Sequence, residues 1–201
     1  MATTASPYGL KPENLIGGLP YAGSARQFLI DPAGYAVNIY NGSIVAVNSS
    51  GYINIVTTNG DNSTPFPAGT IGVFVGCDYI NAQGQLMFSQ YYPANTTGVV
   101  HAYVVDDDRV VFRAQADGSM AQTTLGNNVY LAAVQSTSTG STTTGNSNTA
   151  LDASTAATTS GFAFRVVGFV NSTTSSVGDA YTDVLVKFNP GSHSYSNATG
   201  I

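Results

Sequence analysis

The stretch YVVDDDRVVFRAQADG, residues 103–118, places three consecutive aspartates between two apolar runs. In the second run two sets of residues alternate, as in a strand that turns one face to a core. The sets are Val110, Phe112, Ala114 and Ala116 on one face and Arg109, Val111, Arg113 and Gln115 on the other. The first run, which ends at Val105, predicts another strand. Asp106–Asp108 therefore predict a hairpin connection, because aspartate bonds nearby backbone N–H groups and tolerates left-handed backbone angles.

Similar short runs, rich in β-branched and aromatic residues, continue from about residue 28 to the C-terminus. They cover 35–40, 43–47, 52–56, 70–80, 85–92, 99–105, 109–116, 128–135, 162–170 and 181–188. Asn41-Gly42, between the first two runs, is the strongest short-range hairpin signal. The best helical candidate is the short Ala/Thr-rich stretch 149–159. About ten short strands predict an all-β fold, an antiparallel β-sandwich or barrel.

Two segments do not follow this strand pattern. Residues 1–27 contain prolines and glycines that break helices and sheet ladders, yet apolar residues recur among them. We expect an extended N-terminal arm that docks on its own domain or on a partner through Tyr8, Leu10, Leu15, Ile16, Leu19 and Tyr21. Residues 28–201 are then a single β-rich domain, in which the Ser/Thr-rich stretch 136–160 is expected to be an exposed, flexible loop.

The composition points to a surface with few charges. The chain of 201 residues has the length of one domain, and 43% of it is hydrophobic, which is enough to bury a core. Only 8% is charged, against roughly 25% in a typical soluble domain. Short neutral side chains cost less to desolvate and to order than charged ones. Such a surface suits a member of an assembly or, alternatively, a low-charge extracellular or environmental protein.

The composition also argues against several classes of protein. The formal net charge is −5 and the six Lys and Arg residues are scattered, so we expect no nucleic-acid partner. There is no run of about 18 apolar residues, which argues against a membrane span, and residues 1–18 lack the pattern of a secretory signal. Cys77 is the only cysteine, which excludes an internal disulfide and a cysteine-based zinc cluster. Its apolar surroundings predict a buried thiol.

The three aspartates are the main candidates for chemistry. A calcium site needs six or more oxygens, whereas consecutive side chains of a strand point apart, and the spacing does not fit an EF-hand. Glycoside hydrolysis needs a second carboxylate across a cleft. Candidate partners without a specific pattern are Asp117, Asp179 and Asp183. The motifs of serine hydrolases, phosphate loops, dinucleotide-binding folds and zinc proteases are missing. We expect a turn with ion pairs to Arg109 and Arg113, no enzyme activity, no metal and no cofactor.

Several stretches, taken in order, carry a family resemblance. They are SPYGLKP, GVFVGCDYI, MFSQYYP, AYVVDDDRVVFRAQADG and FRVVGFVNSTTSSVGDAYTDVLVKFN, followed by a short tail. Together they resemble capsid decoration (cement) proteins of tailed bacteriophages, of the kind encoded beside the major capsid protein. The resemblance spans nearly the whole chain. It implies a β-rich protein that binds the outside of an expanded capsid, often as trimers or dimers, and it carries over no catalytic residue.

These observations lead to three hypotheses of function. The first is a structural virion protein on the outer surface of the capsid, whose arm bridges neighbouring subunits of the major capsid protein. It is expected to be a homo-oligomer, with a trimer favoured over a dimer, and to have no nucleic-acid or membrane partner. The second is a carbohydrate-binding or adhesion β-domain on the virion or cell surface that uses Tyr and Asn in its loops. The third, ranked last, is a hydrolase that uses Asp106–Asp108.

Overall fold

The computed structural model describes residues 4–201 as an all-β protein with antiparallel sheets. The first three residues of the predicted arm lie outside the described residues. The strands are β1 (Lys11–Leu15), β2 (Arg26–Ile30), β3 (Ile39–Tyr40), β4 (Ile44–Val47), β5 (Ile53–Ile55), β6 (Thr70–Ile80), β7 (Leu86–Ser89), β8 (Tyr91–Tyr92), β9 (Val100–Val105), β10 (Val110–Gln115), β11 (Asn128–Val129), β12 (Phe164–Phe169) and β13 (Asp183–Phe188). Single 3-10 turns lie at Gln122–Thr124 and Ser194–Ser196. The predicted fold class is confirmed.

Two sheets pack face to face around the larger core. The front sheet has the order β1-β10-β13-β12-β11, and the central sheet has the order β2-β9-β6-β4-β5, with β7 paired to the C-terminal half of β6. Phe112 and Val186 of the front sheet share one buried cluster with Ile44 and Val73 of the central sheet. This arrangement is that of a β-sandwich.

Around the N-terminal half of β6, the central sheet is buried on both of its faces. Along β6, Val73 and Val75 face the front sheet, whereas Phe74 and Cys77 belong to a second core. The small β3-β8 sheet contributes Tyr92 to that second core, and the central sheet curls so that β2 approaches β5. Burial on both faces explains why β6 reads as a nearly continuous apolar run.

The structure places β1 and the start of β2 within residues 1–27, where the sequence predicts no strand. β1 pairs antiparallel with β10, with Leu15 opposite Val110, and β2 begins at Arg26. Proline is tolerated in β1 because this strand is the edge of the front sheet. The ladder also shifts register between Pro12 and Asn14. With β1, β2 and the division of the predicted strand 85–92 into β7 and β8, the count rises from about ten to thirteen.

Both predicted hairpins are wrong. β9 lies in the central sheet and β10 in the front sheet, so Asp106–Asp108 carry the chain from one sheet to the other. β3 pairs with β8 and not with β4. At the Asn41-Gly42 turn only Gly42 has a positive φ, of 92°. The type I′ turn that joins hairpin strands needs a positive φ at both central residues.

The Ser/Thr-rich stretch 136–160, expected to be an exposed, flexible loop, is packed against the domain over part of its length. Its buried side chains include Ser147, Thr149 and Leu151. The N–H of Asn41 donates to the carbonyl of Gly145 at 2.9 Å, and the N–H of Ser147 donates to the carbonyl of Asn41 at 2.9 Å. Residues 149–159 form no helix. Backbone pairing to the domain therefore holds a segment whose composition is typical of a linker.

Candidate docking surfaces

The apolar side chains predicted as the docking surface of the arm divide between the domain and solvent. Leu10 is only 1% exposed and belongs to the larger core. Leu15 and Tyr21 are partly buried against the same core. Ile16 and Leu19 are 48% and 65% exposed. The segment thus uses much of its apolar surface on its own domain and leaves Ile16 and Leu19 open to a partner.

Tyr8, the remaining residue of this set, lies on the outer face of the front sheet. The guanidinium carbon of Arg113 stands 5.5 Å from its ring centroid, which is a cation–π contact. Burial and the neighbouring Asp183 carboxylate raise the pKa of Tyr8, and burial also raises the pKa of Asp183. Nearby, the N–H of Ser6 donates to the side-chain oxygen of Gln115 at 2.7 Å. The N-terminal segment therefore covers the face of β10 that the alternation assigns to solvent.

The exposed part of the N-terminal segment is a tight turn between Leu15 and Leu19. The N–H of Leu15 donates to the carbonyl of Leu19 at 2.8 Å. Gly17 and Gly18 have φ values of 98° and 86°, a left-handed conformation that glycine adopts without steric penalty. The N–H of Ile16 donates to the carbonyl of Arg109 at 2.8 Å. An apolar groove of about 120 Å³ beside the turn is lined by residues that include Leu15, Ile16, Val111, Val167 and Leu185.

Asp106 joins the C-terminal segment to the start of β2. Its side chain is largely shielded, and the hydroxyl of Tyr195 donates to it at 2.8 Å. Nε of Arg26 lies 2.5 Å from the same carboxylate oxygen. Burial, together with the hydrogen bond to Asp106, raises the pKa of Tyr195 to about 12. These contacts give Asp106 a structural role in fixing two segments that are far apart in sequence.

Asp107 forms the local ion pair that the sequence predicts. Nε and one terminal nitrogen of Arg109 donate to its carboxylate at 3.2 Å and 3.1 Å, and these bonds lower the pKa of Asp107. The predicted pairing with Arg113 is wrong, because that side chain lies over Tyr8. Within residues 4–201, no group of three or more His, Cys, Asp or Glu side chains is placed to hold a metal ion. The Cys77 thiol is buried, which raises its pKa to about 12.

A second apolar surface, which the alternation of residues in the sequence does not reveal, lies on the central sheet. Asp78 is paired with Phe88 of β7 and with His101 of β9, and His101 is paired with Leu29 of β2. One step along, Ile80 is paired with Leu86, and the continued register places Val99 on the other side of Ile80. Side chains of paired residues, and of residues two apart along a strand, share a face. This open sheet face consists of Leu29 (45% exposed), Ile80 (62%), Leu86 (57%), Phe88 (72%) and Val99 (61%).

The polar side chains of the open sheet face bond to one another. Nδ1 of His101 lies 3.1 Å from Oδ2 of Asp78. The Gln27 side chain donates to the hydroxyl of Tyr103 at 3.2 Å, and the contact with Asp78 raises the pKa of Tyr103. Asp78 therefore keeps His101 as a partner when the face is covered, whereas its Oδ1 atom, which is already buried, has no hydrogen-bond partner.

The strand periodicity failed to reveal this face for a physical reason. Leu86, Met87 and Phe88 are successive apolar residues, so β7 shows no alternation from which an inner and an outer face can be read. The sequence nonetheless contains a signal. An edge strand that buries one face needs an apolar residue only at every second position, whereas here three consecutive residues are apolar. The strand pairing identifies Leu86 and Phe88 as the pair that shares a face with Ile80.

A cavity adjoins one border of the open sheet face. It has a volume of about 380 Å³, and its lining includes Tyr79, Ile80, Asn81, Asn95 and Thr96. Asn95 is the one residue other than glycine with a positive φ, 61°, within the described range 4–201. The lining supplies amide and hydroxyl groups beside one aromatic ring, which suits a polar, uncharged ligand.

Comparison of the chain with known proteins gives no relative. No protein-family model, curated protein or solved structure matches it. In residues 4–201 no helix is long and apolar enough to cross a membrane.

Proposed function

We propose that this protein is a structural component of a tailed-bacteriophage virion, which binds the outer surface of the capsid and stabilises the shell by bridging subunits of the major capsid protein. The observation that supports this proposal is the presence of two separate apolar surfaces on one all-β body. These are the turn between Leu15 and Leu19 and the open sheet face. A protein that bridges neighbours needs at least two contact surfaces.

The two surfaces lie toward opposite ends of β9. The turn is bonded to Arg109, which follows the C-terminal end of β9, whereas Val99 precedes the N-terminal end of this strand. Six residues of strand span about 20 Å, so the surfaces are separated on that scale. A single copy is therefore wide enough to contact two partners at once.

The low charge of the chain agrees with the same role. With 8% charged residues, contact with a neighbour requires little desolvation of ionised groups. A shell also presents many equivalent sites, so that modest contacts add up over the particle. The resemblance to capsid decoration proteins leads to the same function from the sequence.

The proposal is tested by mixing the purified protein with expanded capsids of the phage whose genome encodes it, followed by co-sedimentation. We expect the wild-type protein to sediment with the shells. Replacing both Ile16 and Leu19 by serine is expected to weaken binding at least about tenfold, since two apolar contacts are lost. Leu125→Ser is the control, because this side chain is 47% exposed and precedes Gly126, whose N–H donates to the carbonyl of Val166 in β12. Failure of the wild-type protein to bind overturns the proposal.

Point substitutions are preferable here to deletion of residues 1–20. The deletion removes β1 and the core residue Leu10, and it bares the edge of β10. A loss of binding would then report unfolding as readily as a lost contact. Ile16 and Leu19 are exposed, and circular dichroism of the double variant verifies that the fold is retained.

The cavity beside Tyr79 supports a second candidate function, a carbohydrate-binding or adhesion β-domain. Its aromatic ring and the amides of Asn81 and Asn95 are groups that bind neutral sugars by stacking and hydrogen bonding. This candidate predicts saturable binding on a glycan array. It also predicts that Asn81→Ala lowers that binding while leaving co-sedimentation with shells unchanged.

A further inference from the structure

We infer that the open sheet face is the contact surface for a second copy of this chain, with the two copies related by a two-fold axis. The inference goes beyond shell binding, because it assigns one of the two apolar surfaces to self-association. The turn between Leu15 and Leu19 then remains for the shell, and the dimer supplies two such turns.

The size of the open sheet face is the first argument. Its five apolar side chains, which are between 45% and 72% exposed, each present on the order of 100 Å², or about 500 Å² together. This area matches the largest apolar patch of a typical monomer, which is about 300–600 Å² and often binds a partner. One partner in a standard stable interface contributes about 800 Å². The apolar side chains alone therefore supply more than half of the area that a stable dimer needs.

The shape of the face is the second argument. It belongs to four adjacent strands, β7, β6, β9 and β2, so it is a continuous sheet surface and not a groove. A sheet face packs most closely against another sheet face, at about 10 Å, with interdigitating side chains. A second copy offers an identical apolar face, and two-fold dimers are the commonest closed assemblies.

The chemistry at the centre of the face is the third argument. Asp78 is already paired with His101, and Gln27 with Tyr103. Burial between two copies therefore encloses Asp78 together with its partner His101, and Asp78 is the one carboxylate among the residues named for this face. The apolar residues surround this paired centre, with Phe88 on one side and Leu29 on the other.

Sedimentation velocity over a range of protein concentrations tests the inference without any capsid present. With a Kd of ~1 μM, a solution at ~100 μM is about nine-tenths dimeric. Phe88→Arg is expected to raise the Kd at least about a hundredfold, because a two-fold interface loses the contact twice. Leu125→Arg, at an exposed leucine away from the face, is the matched control and is expected to leave the Kd unchanged.

Cysteine crosslinking identifies the surface independently of affinity. Ile80→Cys is expected to form an intermolecular disulfide under mild oxidation, whereas Leu125→Cys is not. The native Cys77 is 1% exposed and contributes little background. A wild-type protein that is monomeric at ~100 μM, a trimer mass, or equal crosslinking of the two variants overturns the inference. A monomer whose Phe88→Arg variant loses shell binding instead assigns the face to the capsid, which overturns self-association but leaves the proposed function intact.

Discussion

Leu10 and Leu19 provide the most direct test of how the N-terminal segment is used. Both leucines belong to the predicted arm, yet Leu10 is 1% exposed in the larger core and Leu19 is 65% exposed. Truncating a buried leucine to alanine removes its transfer free energy and leaves a cavity, at a cost of about 2–5 kcal/mol. Truncating an exposed leucine costs within about 0.5 kcal/mol. We therefore expect Leu10→Ala to destabilise the domain by about 3 kcal/mol and Leu19→Ala to have almost no effect.

Urea denaturation followed by fluorescence or circular dichroism measures both free energies of unfolding. For a domain of this size, 1 kcal/mol corresponds to about 2–4 °C in Tm, so Leu10→Ala is expected to melt about 6–12 °C lower than the wild-type protein. An unchanged m value shows that the compactness of the two end states is preserved. Equal stability of the two variants would refute the assignment of residue 10 to the core, and with it the view that the segment docks on its own domain.

Four further substitutions test the packing and the turns of the fold. The buried side chain of Gln135 is hydrogen-bonded to the N–H and the carbonyl of Ile44. Gln135→Ala is therefore expected to lower the free energy of unfolding, measured by urea denaturation, by about 3 kcal/mol. A decrease of less than about 1 kcal/mol would contradict the importance of these bonds. A Cβ at Gly72 would stand 2.0 Å from a carbonyl oxygen of the neighbouring strand, so Gly72→Ala is expected to cost about 3 kcal/mol or more. At Gly51 an added Cβ meets open space, and φ is 82°, so Gly51→Ala is expected to lower the free energy of unfolding by only about 1 kcal/mol. Equal decreases for the two glycine variants would contradict the close approach of the neighbouring strand at Gly72. Burial lowers the pKa of His193 in the folded protein. As the pH drops below the ordinary value of 6.5, the unfolded state therefore binds a proton before the folded state does, and the free energy of unfolding falls. His193→Gln is expected to flatten this pH dependence, measured as urea midpoints from about pH 5 to 8.

The strands were predictable where an apolar residue recurs at every second position of a run. β10 illustrates this, because Val110, Phe112 and Ala114 form part of the larger core as the alternation predicts. β1 was not predictable, since its proline reads as a breaker until its place at the sheet edge is known. Pairing partners were less predictable than strands, because a short connection fits a hairpin and a crossing between sheets equally well. Asp106–Asp108 make such a crossing.

The docking surfaces were predictable only in part, and for a related reason. The sequence reveals that apolar residues recur between positions 8 and 21, but it does not reveal which of them the domain itself covers. Burial of Leu10 and exposure of Leu19 depend on where β10 lies. The open sheet face depends on the pairing of β7 with β6 and of β9 with β2. Such long-range pairing is not encoded in any local period.

The length of β6 explains why an uncovered face exists at all. β6 has 11 residues, whereas the front-sheet strands have six or fewer, which corresponds to about 36 Å against about 20 Å. The front sheet therefore covers only the N-terminal half of β6, where Val73 and Val75 pack against the larger core. Beyond the register shift between Phe74 and Gly76, the same face continues past the end of that cover. On this uncovered end β6 presents Asp78 and Ile80. The neighbouring strands add the exposed side chains of Leu86, Phe88, Val99 and Leu29, so the uncovered face is largely apolar, as a surface that binds a partner is.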